Sequence, residues 1–96
     1  MSTRHEFVEK VKQQIDDLDK EFDKLDVKAD KASEDIRHEW ERRKLDLKEK
    51  RHQLTSKLEE AQSAADGTWE QVKESLIDAR QKFAEGVKDI RETLSR

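Results

Sequence analysis

Two pairs in this chain have the spacing of a metal centre. Asp35-x-x-His38 and Glu49-x-x-His52 each set a carboxylate and an imidazole on one helix face, as in di-metal carboxylate bundles, where such pairs project into the core. Here the phase is wrong. His38 stands two residues from both Ile36 and Trp40, about 200° around a helix from each, and His52 is displaced in the same way from Leu54. Both imidazoles are expected on solvated surface. The sequence contains no Gly-rich phosphate loop and no H-E-x-x-H pair, and no Ser-His-Asp set can be placed. With no cysteine, thiol catalysis, zinc-thiolate sites and disulfides are excluded. The expectation is a protein that is not an enzyme and takes no metal or cofactor.

Two further groups of side chains could make contacts. Arg42-Arg43-Lys44, with Lys48, Lys50 and Arg51, could meet phosphate, but Glu39, Glu41, Asp46 and Glu49 interleave with them and no aromatic is interleaved for base stacking. A solvated helix face is expected there, and nucleic acid is not an expected partner. Trp40 and Trp69 could anchor a lipid surface, yet both fall on an apolar stripe, where an aromatic is first of all a packing residue.

Composition and spacing decide what positions these side chains. Of 96 residues, 31% are hydrophobic and 47% charged, against about 45–50% apolar in ordinary globular chains. A thick core is ruled out. Good helix formers dominate, with two glycines and no proline, so slender helices each burying a narrow stripe are expected rather than disorder. Val8, Val11, Ile15, Leu18, Phe22, Leu25, Ala29, Ala32 and Ile36 span 28 residues in eight steps, the period of a heptad repeat. The stripe continues through Trp40, Leu47, Leu54, Leu58, Ala61 and Ala65. It is weakest at Arg43, Lys44 and Arg51, long side chains able to lay their methylenes along a seam.

From Ala61 the stripe runs on through Ala65, Trp69, Val72, Leu76, Ala79, Phe83, Val87, Ile90 and Leu94, 33 residues in nine steps, an eleven-residue rhythm that predicts a straighter path. In this last segment the apolar residues lie within about 80° of arc. Lys73, Arg80 and Arg91 border them on one side, and Thr68, Ser75, Gly86 and Thr93 on the other. Lipid-binding helices generally use a broader face, so a partner helix suits this stripe better than a bilayer.

The two glycines punctuate the chain. Asp66-Gly67-Thr68 reads as a turn, with Gly67 at a helix C′ position at positive φ, Thr68 as the next N-cap and Gln71 completing a capping box. Gly86 marks a close helix approach. Reversal at Gly67 sets Leu58 near Leu76, Leu54 near Ala79 and Trp40 near Leu94. The expected fold class is all-α, a single helical domain over 1–96. Its expected form is an elongated helical hairpin or antiparallel coiled coil, with a long helix over 3–65, a turn at 66–68 and a shorter helix over 69–95. The shorter helix covers only residues from about 36 to 65 of the long one, so the N-terminal seam is expected to enter another copy, giving a homo-oligomer.

The alternative is a three-helix bundle with a second bend near 30–33. No glycine or proline stands there and the seam passes straight through, which favours the long helix. Charge keeps the bundle in play: residues 1–35 carry 7 basic and 11 acidic groups, and residues 36–65 carry 8 and 6. Complementary thirds favour lying side by side, within one chain or between two.

The opening MSTRHEFVEK lacks the apolar run of a secretory signal, and no window approaches the ~18 apolar residues of a membrane span; a cytoplasmic protein is expected. Through MSTRHEFVEKVKQQIDDLD, KADKASEDIRHEW and TWEQVKESLIDARQKF the chain resembles small bacterial coiled-coil proteins of uncharacterised function. The rhythm of its last third is similar to that of apolipoproteins, phasins and late-embryogenesis-abundant proteins. That likeness implies granule, lipid or stress association and carries no site residue with it. The function expected from the residues themselves is a non-enzymatic scaffold or adaptor, self-associating or binding a partner helix through the stripe. Reversible coating of a lipid or polymer surface is the alternative.

Overall fold

A computed structural model describes residues 3–95. Among them the chain forms three helices, α1 Thr3–Asp30, α2 Glu34–Ser63 and α3 Trp69–Leu94, with a 3-10 turn over Asp66–Thr68 before the last. The body measures 50 × 20 × 16 Å, a slim up-down-up bundle. Long-range pairs fix the directions. Asp19 with Arg51 and Asp26 with Trp40 run α1 antiparallel to α2, while Gln14 with Arg80 and Glu21 with Arg91 run α1 parallel to α3.

The expected single helix over 3–65 is therefore corrected: the chain bends at Lys31–Ser33. At the end of α1, Lys31 N–H donates to Lys28 O and Ala32 N–H to Ala29 O, tightening the last turn, and Lys28 supplies positive charge at the carbonyl end. Ser33, at φ −62 and ψ 161, then caps α2, its hydroxyl accepting from Ile36 N–H at 3.4 Å, with Glu34 and Asp35 in the first turn. Three residues of connection are close to one helical turn. The apolar rhythm therefore stays in phase across the bend and conceals it.

The Asp66–Thr68 segment does reverse the chain, by other means than expected. Among the described residues no glycine has positive φ. Helix α2 ends because Ala64 and Ala65 turn extended, at ψ 141 and 154. Thr68 sits at φ −108 and ψ −3, caps nothing with its side chain, and donates its hydroxyl back to Ala65 O at 3.0 Å. Already near helical ψ, Thr68 continues the 3-10 turn straight into α3, so its hydroxyl meets a carbonyl behind it instead of an amide ahead.

Each helix dries its stripe against the other two. Val8, Val11, Ile15, Leu25 and Ala29 of α1 are buried with Trp40, Leu47, Leu54, Leu58 and Ala61 of α2 and Leu76, Phe83, Val87, Ile90 and Leu94 of α3. Phe7, Leu18, Phe22, Ile36, Trp69, Val72 and Ala79 pack against this core while partly exposed. The apolar column of α2 recurs every seven residues, at 40, 47, 54 and 61. Gly86 of α3 faces Leu47 so closely that an added Cβ would lie 2.5 Å from Leu47 Cδ2, in the register that sets Leu54 near Ala79.

The two glycines should thus respond in opposite ways. At Gly67 an added Cβ would meet open space beyond the adjoining backbone, so Gly67→Ala should leave stability unchanged or raise it by about 0.4–1 kcal/mol through the unfolded chain. Gly86→Val should lower it by about 1–3 kcal/mol by overpacking against Leu47. Urea-unfolding midpoints of the two variants check both signs.

Candidate functional site

The features of greatest functional interest converge on the face that α2 and α3 present to α1. Helix α3 has two unlike edges, and each meets a different neighbour. Its basic edge turns to α1: Arg80 donates to Gln14 Oε1 at 2.7 Å, Arg91 to Glu21 Oε1 at 2.5 Å, and Lys73 Nζ lies 5.4 Å from the Phe7 ring centroid. Gly86, on the small-residue edge, meets Leu47 of α2.

Helix α2 does the same with the positions where its stripe is weakest. Lys44 donates to Asp26 at 3.2 Å, and Arg51 grips Asp19 with two bonds of 2.6 and 2.8 Å. Arg51 therefore does more than cover the seam; hydrogen bonding to the Asp19 carboxylate pushes its guanidinium further up from its ordinary value. Arg43, by contrast, turns to Glu39 on its own helix. Bonds from Arg42 and Arg43 hold the half-buried Glu39 carboxyl below its ordinary range.

Near the bend, the indole N–H of fully buried Trp40 donates to Asp26 Oδ1 at 2.8 Å, and its ring lies 5.2 Å from that of Phe22. The indole thereby satisfies its one donor while burying its body. At the opposite end, Arg4 of α1 reaches the last turn of α2, which has no basic residue of its own. Its guanidinium donates to Ala61 O at 3.1 and 3.2 Å and to Ala64 O, approaches Asp66 at 3.5 Å, and lies 5.1 Å from the Trp69 ring centroid. Phe7 meets the same tryptophan edge to face, at 6.0 Å. Arg4 is thus a C-cap delivered from another helix, answering carbonyls that α2 leaves open.

The metal spacings read from the sequence stay apart from this centre. His38 is exposed and pairs with Glu34 one turn away at 3.7 Å, and His52 is exposed. Among the described residues no group of three or more His, Asp or Glu is placed to hold a metal ion. His52 stands at an open groove of about 490 Å³ between α1 and α2, with Phe22 and Leu47 among its lining and the Arg51–Asp19 pair on its wall. No helix among the described residues is long and apolar enough to cross a membrane. No family model, curated protein or solved structure matches the chain.

Sequence reading placed the stripe and overlooked its charged partners. Asp19, Glu21 and Asp26 were legible only as charges; the signal that could have singled them out is the acidic excess of the first third beside basic borders on the other two.

Replacing Arg4 by Ala should cost about 1–3 kcal/mol, from charge-assisted bonds to carbonyls and the ring contact, and Lys should recover less than half because it lacks the fork; denaturant midpoints measure both. At Asp26, bonds from Trp40 and then Lys44 lower the carboxyl from its ordinary value. A carboxyl lowered on folding stabilises at neutral pH, and that contribution fades as pH falls below about 4. Asp26→Asn keeps an acceptor for the indole and loses the titration, so its melting temperature should fall less steeply than the wild type's between about pH 4 and pH 2.

Proposed function

We propose that this protein is a non-enzymatic helical scaffold or adaptor. It works by helix exchange at the face beneath α1, taking there either α1 of another copy or an amphipathic helix of a partner. The observation that carries this reading is the chemistry of that face: an apolar seam flanked by Lys44 and Arg51 on one side and Arg80 and Arg91 on the other, all turned toward α1. Surface ion pairs such as Arg51–Asp19 and Arg91–Glu21 contribute about 0–1 kcal/mol each, whereas each large aliphatic dried by the seam contributes about 1.5–3 kcal/mol. The seam thus supplies affinity and the charges supply choice. An acidic helix with a heptad stripe fits, and a basic one is rejected by like charge.

The test uses the full chain with its own α1 weakened by Phe22→Ala. A fluorescein-labelled peptide of residues 3–30 should bind this variant with a saturable rise in anisotropy, and the same peptide with Leu18 and Phe22 changed to Asp should not. Absence of saturable binding by the folded variant up to about 1 mM, the effective concentration against which the tethered α1 competes, overturns the reading. Co-flotation with vesicles separates helix exchange from lipid coating, since coating would change helicity and tryptophan emission with lipid composition.

A further inference from the structure

The connection between α1 and α2 has a property that the turn between α2 and α3 lacks. Lys31-Ala32-Ser33 contains neither glycine nor proline, and among the described residues no non-glycine has positive φ. Ala29, Ala32 and Ile36 keep the three-and-four spacing of the seam across it. Ala29 is buried, and Ala32 and Ile36 are half-buried. Every residue here can therefore enter a continuous helix without strain, and the seam would emerge in register on the far side. What holds the bend is slight: the Ser33 hydroxyl accepting one amide at 3.4 Å, and two carbonyls closed by three-residue turns. Straightening would exchange these for regular helical bonds. A short hinge between elements that already fit each other is a recognised route to exchange between copies.

We infer that the occupant of the α1 face in the assembled state is α1 of a second copy. The bend at 31–33 opens, α1 and α2 fuse into one helix over residues 3–63, and two chains lie antiparallel with each α1 seated on the other chain's α2 and α3. This rests on the reading of that face as a site of helix exchange, and names its partner. Every seam contact and every pair between α1 and its neighbours is kept, now between chains. The balance between monomer and dimer is set at the hinge, two of which straighten per dimer.

Two substitutions push that balance in opposite directions. Ser33→Ala removes the cap and supplies the best helix former, so with two caps lost per dimer the association constant should rise about 30-fold. Glu34→Pro suits the bent form, because Glu34 is the first residue of α2 and Ser33 before it is already extended at φ −62 and ψ 161. In a continuous helix the same proline removes an internal hydrogen bond and clashes with the preceding turn.

The experiment is sedimentation equilibrium and solution scattering on the three full-length proteins, each refolded from urea at about 10 µM to 1 mM, spanning the effective concentration of a short tether. Wild type should dimerise toward the upper end and Ser33→Ala at about 30-fold lower concentration. Glu34→Pro, with helicity unchanged by circular dichroism, should stay monomeric throughout. The dimer should scatter as a rod of about 90 Å, the length of a helix over residues 3–63, against 50 Å for the monomer. A Ser33→Ala protein monomeric at every concentration, a Glu34→Pro protein that dimerises like wild type, or a dimer no longer than the monomer would each overturn the inference. If the residue 3–30 peptide still binds the Phe22→Ala chain in any of these cases, helix exchange stands and its occupant is another helix; if it does not bind, the functional reading falls as well.

Discussion

A chain with only 31% hydrophobic residues cannot build a thick core, so each of its helices must dry one narrow stripe against its neighbours. Here each stripe faces the other two helices, and everything else in this molecule follows from that geometry. The chain must supply three stripes of similar length, bring them to one axis and choose which edge of each meets which neighbour. Buried residues of α1, α2 and α3 share one continuous core, and among the described residues no buried side-chain nitrogen or oxygen lacks a partner. So thin a core leaves little surplus. Small features at its margins, a glycine beneath Leu47 or a guanidinium over an open helix end, accordingly matter more than they would in a thick globule.

Charge settles the arrangement that apolar burial leaves open. Three similar stripes could close in either hand and in several registers at similar hydrophobic gain. The acidic α1 settles between the basic edges of its neighbours, with pairs spaced along its length from Asp19 to Asp26 on one side and from Gln14 to Glu21 on the other. At the remaining interface, between α2 and α3, Leu47 occupies the space that a side chain at position 86 would need. The hairpin of α2 and α3 is therefore held by shape and α1 by shape plus charge.

Much of this was legible in the sequence, and the exceptions have physical causes. Stripe positions such as Val11, Trp40 and Phe83 reveal themselves because burial imposes a period, and Gly86 does so because a mid-helix glycine with a small-residue border requires a close neighbour. The bend at 31–33 escaped because Ala29, Ala32 and Ile36 keep the three-and-four spacing of the stripe across it, leaving the period intact. Ser33 followed by Glu34 and Asp35 is the signal that could have marked it, a cap with acidic first-turn residues. At Gly67 the composition pointed to the right place and the wrong conformation, since a glycine permits positive φ without requiring it. Arg4 could not be singled out at all: its role depends on which helix end lies 57 residues away, a fact of topology that no local pattern contains.

The two tryptophans, set at opposite ends of α1, make the molecule its own optical gauge. Trp40 sits beside the bend, dry and bonded to a carboxylate of α1; Trp69 lies near the other end, half-exposed beneath a guanidinium and beside a ring that α1 also supplies. Peeling of α1 from its N-terminal end would therefore alter one indole's surroundings before the other's, and loosening at the bend would reverse that order. The emission of each, isolated by removing its counterpart, would report the direction from which this helix lets go.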